Sequence, residues 1–208
     1  MELYASPMAC SLASHITALE ADLPVSIRYV DTKAKKTDDG KDYLSIAPNG
    51  YVPALRLAGG QLLNEGPSVL QYLADQKPEK KLAPPWGTIE RYQLIDTLNY
   101  LSTEVHKHIF HPLFAASTTD AAKQAHMAEL AAALDYIARR LGDREYLVGA
   151  DFTVADAYLF VMLTWALYVG ADLKRWPTLA AHHQRVMARP AVAKAFAEEM
   201  EERKRRAA

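Results

Sequence analysis

One cysteine in 208 residues rules out an intrachain disulfide, so nothing covalent staples this chain. A formal net charge of -1 leaves no basic excess to attract nucleic acid. The most apolar stretch, Ala157 to Val169, falls short of the roughly 20 residues that a membrane-spanning helix needs, and Asp156 stands just before it. The start Met1-Glu2-Leu3 has neither a basic segment nor a long apolar one, so no secretory signal is expected. A lone thiol suits a reducing compartment, and a cytoplasmic protein that binds neither membrane nor nucleic acid is expected. What the chain does have is core material: 50% of its residues are hydrophobic, against 24% charged, the balance of an ordinary globular protein.

The first 76 residues alternate strand-like and helix-like runs. Strands are expected at Glu2–Ala5, Ser26–Val30, Ala54–Leu57 and Gln61–Leu63, with Gly59-Gly60 as the turn of a hairpin. Helices are expected at Ser11–Ala21 and Pro67–Gln76, and a short one near Lys41–Ile46. That order predicts a small α/β domain over 1–76 with helices on a mixed sheet. Residues 77–87 hold three prolines and four charged residues and read as a linker. Beyond it, helical patterns run through 88–111, 121–141, 153–169, 178–188 and 191–203, broken at Gly142, Gly149 and Gly170, so 88–208 is expected to be all-α. The charged run Glu201–Arg206 reads as a solvated helix end.

Five groups of residues carry possible chemistry. Cys10 follows the first strand and precedes the first helix, where unpaired N–H groups and the helix dipole favour thiolate. A buried, inert thiol is the competing reading. Val52-Pro53 stands at a strand entrance. A cis bond there would leave the Val52 backbone open to pair with an extended peptide, and an ordinary trans turn is the alternative. Glu65 lies at a helix start, either complementing the dipole or holding a ligand's ammonium. At 3.6-residue spacing Asn99, Thr103, His106, Lys107 and Phe110 share one helix face, opposite Leu94, Leu98, Leu101 and Val105. That face is either plainly solvated or a source of positive potential from His106 and Lys107. Thr153-x-x-Asp156 is a capping box before an apolar helix, so Asp156 reads as a structural cap.

Taken in order along the chain, these groups resemble the glutathione transferases, and most specifically the bacterial beta class. The similarity rests on Met8-Ala9-Cys10-Ser11-Leu12-Ala13-Ser14-His15-Ile16, on Thr103-Glu104-Val105-His106-Lys107 and on Phe152 to Phe160. It implies a thioredoxin-like N-terminal domain, an all-α C-terminal domain, a homodimer, and glutathione as co-substrate with no metal. Cys10 would then face the glutathione sulfur, able to form a mixed disulfide with it. Val52, before a cis Pro53, would pair with the cysteinyl unit. Glu65 and the Gly66 amide would hold the γ-glutamyl end. Lys35, His106 and Lys107 would surround the glycyl end and the sulfur, with Asn99 in the same binding set. Thr103 and Glu104 would reach the partner's glutathione across the dimer. Ser11 and His106 would join Cys10 in favouring the thiolate. An apolar electrophile would sit among Tyr51, Phe110, Phe114, Tyr158 and Trp165, in a cleft expected at the domain boundary.

The chain departs from the family in several places, among them Pro67, unusual at a helix start but tolerable in a first turn. Gly66 replaces a frequent serine and its hydroxyl, and Tyr51 puts an aromatic beside the sulfur site. No tyrosine or serine matches the activating group of other classes, and Tyr4 and Ser11 are the nearest candidates. Two other functions stay open at this point: thiol–disulfide exchange through Cys10, and non-catalytic ligand binding on the same fold.

Overall fold

The structure is a computed structural model describing residues 1–207. The chain divides into two compact units, Met1–Ala83 together with the chain from Ala188 onward, and Pro84–Met187. The boundary falls inside the expected linker.

The first unit is built on a mixed five-stranded sheet in the order β3-β2-β1-β4-β5. Its strands are β1 (Glu2–Ala5), β2 (Ser26–Asp31), β3 (Lys36–Thr37), β4 (Ala54–Arg56) and β5 (Leu62–Leu63). β1 lies at the centre, parallel to β2 with Leu3 opposite Ile27, and antiparallel to β4 with Leu3 opposite Leu55. Side chains alternate across a strand, so β1 serves two cores. Leu3 and Ala5 pack with Ala18 of α1 (Leu12–Glu20) and with Val69 and Leu73 of α2 (Gly66–Asp75). Tyr4 packs on the other side with Val30, Tyr43, Ala47 and Ala54. The four expected strands are present. The short edge strand β3 was not expected, because two residues are too few to show a period. The helix expected near 41–46 is only a 3₁₀ turn, Tyr43–Ser45, whose Leu44 N–H donates to Asp42 at 3.1 Å.

The second unit is helical. α3 (Ile89–Tyr100) opens on Thr88, whose Oγ1 accepts from Arg91 N–H at 3.2 Å. It passes into a π-helical stretch, Leu101–Phe110, then α4 (His111–Phe114). α5 (Asp120–Leu141), α6 (Val154–Tyr168) and α7 (Pro177–Met187) complete the unit. Val154 to Leu163 of α6 are all buried, so α6 forms the middle of this core.

The last helix corrects the expected assignment of 88–208 to one helical domain. α8 (Pro190–Ala207) packs on α1 and belongs to the first unit. Val192, Ala195 and Glu199 are its buried positions, and Arg189 just before it holds Glu20 through two contacts of 2.7 Å. An apolar stripe announces that a helix is covered, not by what. The charged end remains at the surface, with Glu202 accepting from Arg205 and Arg206 at 2.6 Å. No helix among the described residues is long and apolar enough to cross a membrane.

Candidate active site

In the first unit, the loop between β1 and α1 carries Cys10. Its Sγ donates to the Val52 carbonyl at 3.3 Å, and the side chain stays partly exposed. The Val52-Pro53 bond is cis, the less common of its two states. Two contacts fix the approach to it. Tyr43 Oη donates to the Tyr51 carbonyl at 2.7 Å, and Lys35 Nζ donates to the Gly50 carbonyl at 2.8 Å while lying 5.5 Å over the Tyr51 ring. Gly50 has a φ of 66°, and a Cβ there would meet Leu44 Cδ2 at 3.0 Å. Lys35, Tyr51, Val52, Pro53 and Cys10 are therefore held in one small region.

Glu65 precedes α2 with φ 64° and ψ 121°, a strained conformation for any residue with a side chain. Its carbonyl accepts the Val69 amide at 3.0 Å, and its exposed carboxylate makes no cap bond. Gly66 begins the helix, and a Cβ built there meets nothing within 4 Å. The lost serine hydroxyl at this position is thus not a matter of space.

Ser11, expected to help activate the thiol, and Tyr4, a nearby candidate, are both engaged elsewhere. Ser11 is fully buried, and its hydroxyl closes the loop by accepting from Ser6 N–H at 3.1 Å and donating to the Ser6 carbonyl at 3.3 Å. It faces its own backbone, so it positions the loop and is no donor to a ligand. Tyr4 is buried on the sheet with its hydroxyl on Glu2, and burial raises its pKa, the reverse of activation.

In the second unit, His106 Nδ1 lies 2.8 Å from Tyr158 Oη. Burial, then the charges of Lys107 and His111, push the His106 pKa down to about 4. The ring is neutral at pH 7, which corrects the expectation of a cationic His106: only its hydrogen-bonding capacity is available. Lys107, Asn99, Thr103 and Glu104 are exposed, with Thr103 Oγ1 3.1 Å from the Asn99 carbonyl and 3.0 Å from Glu104 Oε1.

Phe110 is fully buried and does not share their face. The expected face assumed 3.6 residues per turn, whereas the wider π turns rotate each residue less and carry Phe110 into the core. Tyr158 is also buried, so it backs His106 and is not an exposed pocket wall. The open aromatic surface is formed by Phe114, 44% exposed, half-buried Trp165 at 5.2 Å centroid separation, and Tyr168, 66% exposed and 6.2 Å from Phe114. Phe110 lies 5.8 Å behind Phe114 and 5.5 Å from Trp165. Sequence reasoning missed Tyr168, although it stands three residues after Trp165 on the same helix face.

Asp156 is fully buried at the start of α6, where the capping box forms. It accepts from Thr153 N–H at 2.9 Å, Thr153 Oγ1 at 3.0 Å and Leu147 N–H at 2.8 Å, and lies 2.9 Å from His182 Nε2. Asp156 thus has more partners than the capping box alone supplies.

Comparison with known proteins adds an independent line. Residues 7–76 match the family described as glutathione S-transferase, N-terminal domain, and residues 103–190 match glutathione S-transferase, C-terminal domain. Glutathione S-transferase GstA of Escherichia coli O157:H7 is 43% identical over 199 residues, covering 96% of this chain and 98% of that protein. A sphingomonad glutathione S-transferase solved in complex with glutathione is similar at 43% identity and a TM-score of 0.92, covering 96% of this chain and 98% of that one. A bacterial beta class glutathione S-transferase of Sphingomonas chungbukensis gives 44% identity and a TM-score of 0.92, again covering 96% and 98%.

Proposed function

The chain belongs to the glutathione S-transferases, among the bacterial beta class enzymes, and from that membership we propose a division of work between its two units. The first unit binds glutathione, and the second carries the surface for an apolar electrophile. The observation that carries this reading is the Cys10 contact with the Val52 carbonyl at 3.3 Å beside a cis proline. A strand-edge carbonyl is a natural acceptor for the cysteinyl N–H of an extended tripeptide. Pairing it with glutathione would release the Cys10 thiol toward the ligand's sulfur. Glu65 and the Gly66 amide then take the γ-glutamyl end, and Lys35 the glycyl carboxylate.

Glutathione thiol is a weak nucleophile until ionised. The N-terminal end of α1 and Lys35 favour its thiolate. The thiolate attacks an electrophilic carbon of the apolar substrate, forming the C–S bond as the leaving group departs with its electron pair. Exposed Asn99, Thr103 and Glu104 suit a homodimer contact, and the protein works in the cytoplasm.

Turnover of an aryl halide beside a disulfide-exchange assay, for wild type and Cys10→Ala, tests the function. Conjugation should persist in the variant while exchange disappears. Exchange surviving without Cys10, or conjugation absent from the wild type, would overturn the reading.

A second measurement bears on the γ-glutamyl end. Glu65→Gln should weaken glutathione by about 10–100-fold, the loss of a charged hydrogen bond of roughly 1.5–3 kcal/mol. Gly66→Ser should strengthen it by about 2–10-fold, since a neutral hydrogen bond contributes about 0.5–1.5 kcal/mol. Calorimetric titration decides, and a serine that weakens binding would place the γ-glutamyl group elsewhere.

A further inference from the structure

The glutathione reading leaves one concave feature of the first unit without a role. A cavity of about 250 Å³ opens on the sheet face that carries Tyr4, and its strand residues are Glu2, Tyr4, Arg28 and Arg56. Register brings them together. Alternate side chains share a face, so Glu2 and Tyr4 of β1 lie on one side. Tyr4 stands opposite Arg28 of β2, and Glu2 stands opposite Arg56 of β4. Two guanidinium groups thus flank one carboxylate. The contacts among them are long. Tyr4 Oη donates to Glu2 Oε2 at 3.4 Å, while Glu2 faces Arg28 Nε at 3.5 Å and Arg56 Nη1 at 3.6 Å. Good hydrogen bonds to oxygen run about 2.5–3.2 Å, so three donors converge on a carboxylate and none closes on it. The other acid in the lining is bound tightly: Asp39 takes Lys41 Nζ at 2.7 Å and the Thr37 hydroxyl at 2.5 Å. Three cations, Arg28, Lys41 and Arg56, against two acids leave the lining at +1.

We propose that this cavity binds a small tetrahedral dianion, phosphate in kind, between Arg28 and Arg56. A planar guanidinium fork matches two oxygens of a phosphate, and Glu2 engages each fork only weakly. Arg56 lies 5.4 Å over the Tyr4 ring, a stacking that orients the fork without using its donors. The Tyr4 hydroxyl is a third donor on a side chain that is only 3% exposed, so the site has a fixed polar group and not surface charge alone. Glu2 is 35% exposed and turns out to solvent as the anion enters. It is the competitor that keeps the site selective for a doubly charged ion. The cavity is smaller than the roughly 300–1,000 Å³ of drug-sized ligand sites, so its occupant is small. Ile46 adds an apolar wall, which suits the carbon part of a phosphate monoester. None of these residues belongs to the glutathione set, and the site stands whether or not that set is correct.

Inorganic phosphate and glycerol 3-phosphate are the probes, titrated into the full chain at ionic strength held constant with chloride. Amide NMR shifts should move first at Glu2, Tyr4, Arg28 and Arg56, with a Kd of about 1 mM or lower. Arg28→Gln and Arg56→Gln should each weaken binding by about 10–100-fold, the loss of a hydrogen bond to a charged group. Glu2→Gln removes a like charge and should tighten it by about 3–10-fold. The rate of glutathione conjugation should stay at the wild-type value in all three. Tighter binding of the ester than of phosphate identifies a monoester as the occupant, and equal binding identifies the free ion. Shifts absent at about 10 mM of either probe would overturn the proposal. So would affinity retained in both arginine variants, the mark of general attraction to a cationic surface. Weaker binding in Glu2→Gln, together with a lower melting temperature, would overturn it as well, because the arginines would then serve Glu2 alone.

Discussion

Replacing Asp156 with alanine is expected to cost about 3–5 kcal/mol, the range for removing one member of a buried, fully bonded polar group. A cap alone would predict only about 0.5–2 kcal/mol. The difference lies in what the carboxylate holds. It collects the Thr153 amide and hydroxyl, the Leu147 amide and His182, all in the interior. Its loss strands several donors at once, each costing about 1–3 kcal/mol if it finds no other acceptor. For a chain of this size, about 2–4 °C of melting temperature accompanies each kcal/mol, so a fall on the order of 10 °C is expected. Glutathione affinity per folded molecule should not change. A melting temperature unchanged alongside abolished turnover would move Asp156 from structure to chemistry.

The second large effect is acid lability of the helical unit. Burial and Lys107 hold His106 down to about 4, and burial with the neighbouring His182 does the same to His183. His183 stacks on Phe160 at 4.8 Å and lies 3.1 Å from Thr164 Oγ1, an environment for a neutral ring. Both folded values lie below the unfolded value near 6.5, so the unfolded chain takes up the protons first. Stability is therefore complete above about pH 6.5 and is lost as pH falls toward 4. At about 1.4 kcal/mol per unit, the loss is roughly 2–3 kcal/mol for each histidine, both being partly screened by solvent. Chemical denaturation at pH 7 and pH 4.5 measures it. In His183→Gln the pH dependence should be shallower by one histidine's share. A slope unchanged in that variant would assign the lability to other groups.

The same shift alters the reading of the thiolate environment. His106 adds no positive charge at pH 7, because burial keeps its ring neutral. Its Tyr158 contact fixes the ring's orientation, so Tyr158 matters through His106 and not as an exposed wall.

Much of this was legible in the residues themselves. Short-range order writes itself into local pattern: the strand at Glu2–Ala5, the break before Leu12, the proline at α2's first turn and the Thr153–Asp156 box all act through neighbours within a few positions. Side-chain period and capping chemistry are local, so a sequence by itself determines them. The ordered set from Cys10 to Asp156 likewise sufficed to point to the family. Tertiary structure alone decided the rest. Phe110 left its expected face because π turns changed the period beneath it. Ser11 turned inward because Ser6 offered it both a donor and an acceptor. Tyr158 closed on a histidine 52 residues away in the chain. Glu199, which no local pattern singles out, meets Met8 across 191 positions. Such contacts depend on which elements pack together, and burial then sets both the pKa of each group and the partner it must find. No local period encodes that choice, because a buried polar group is satisfied by whatever the fold places beside it.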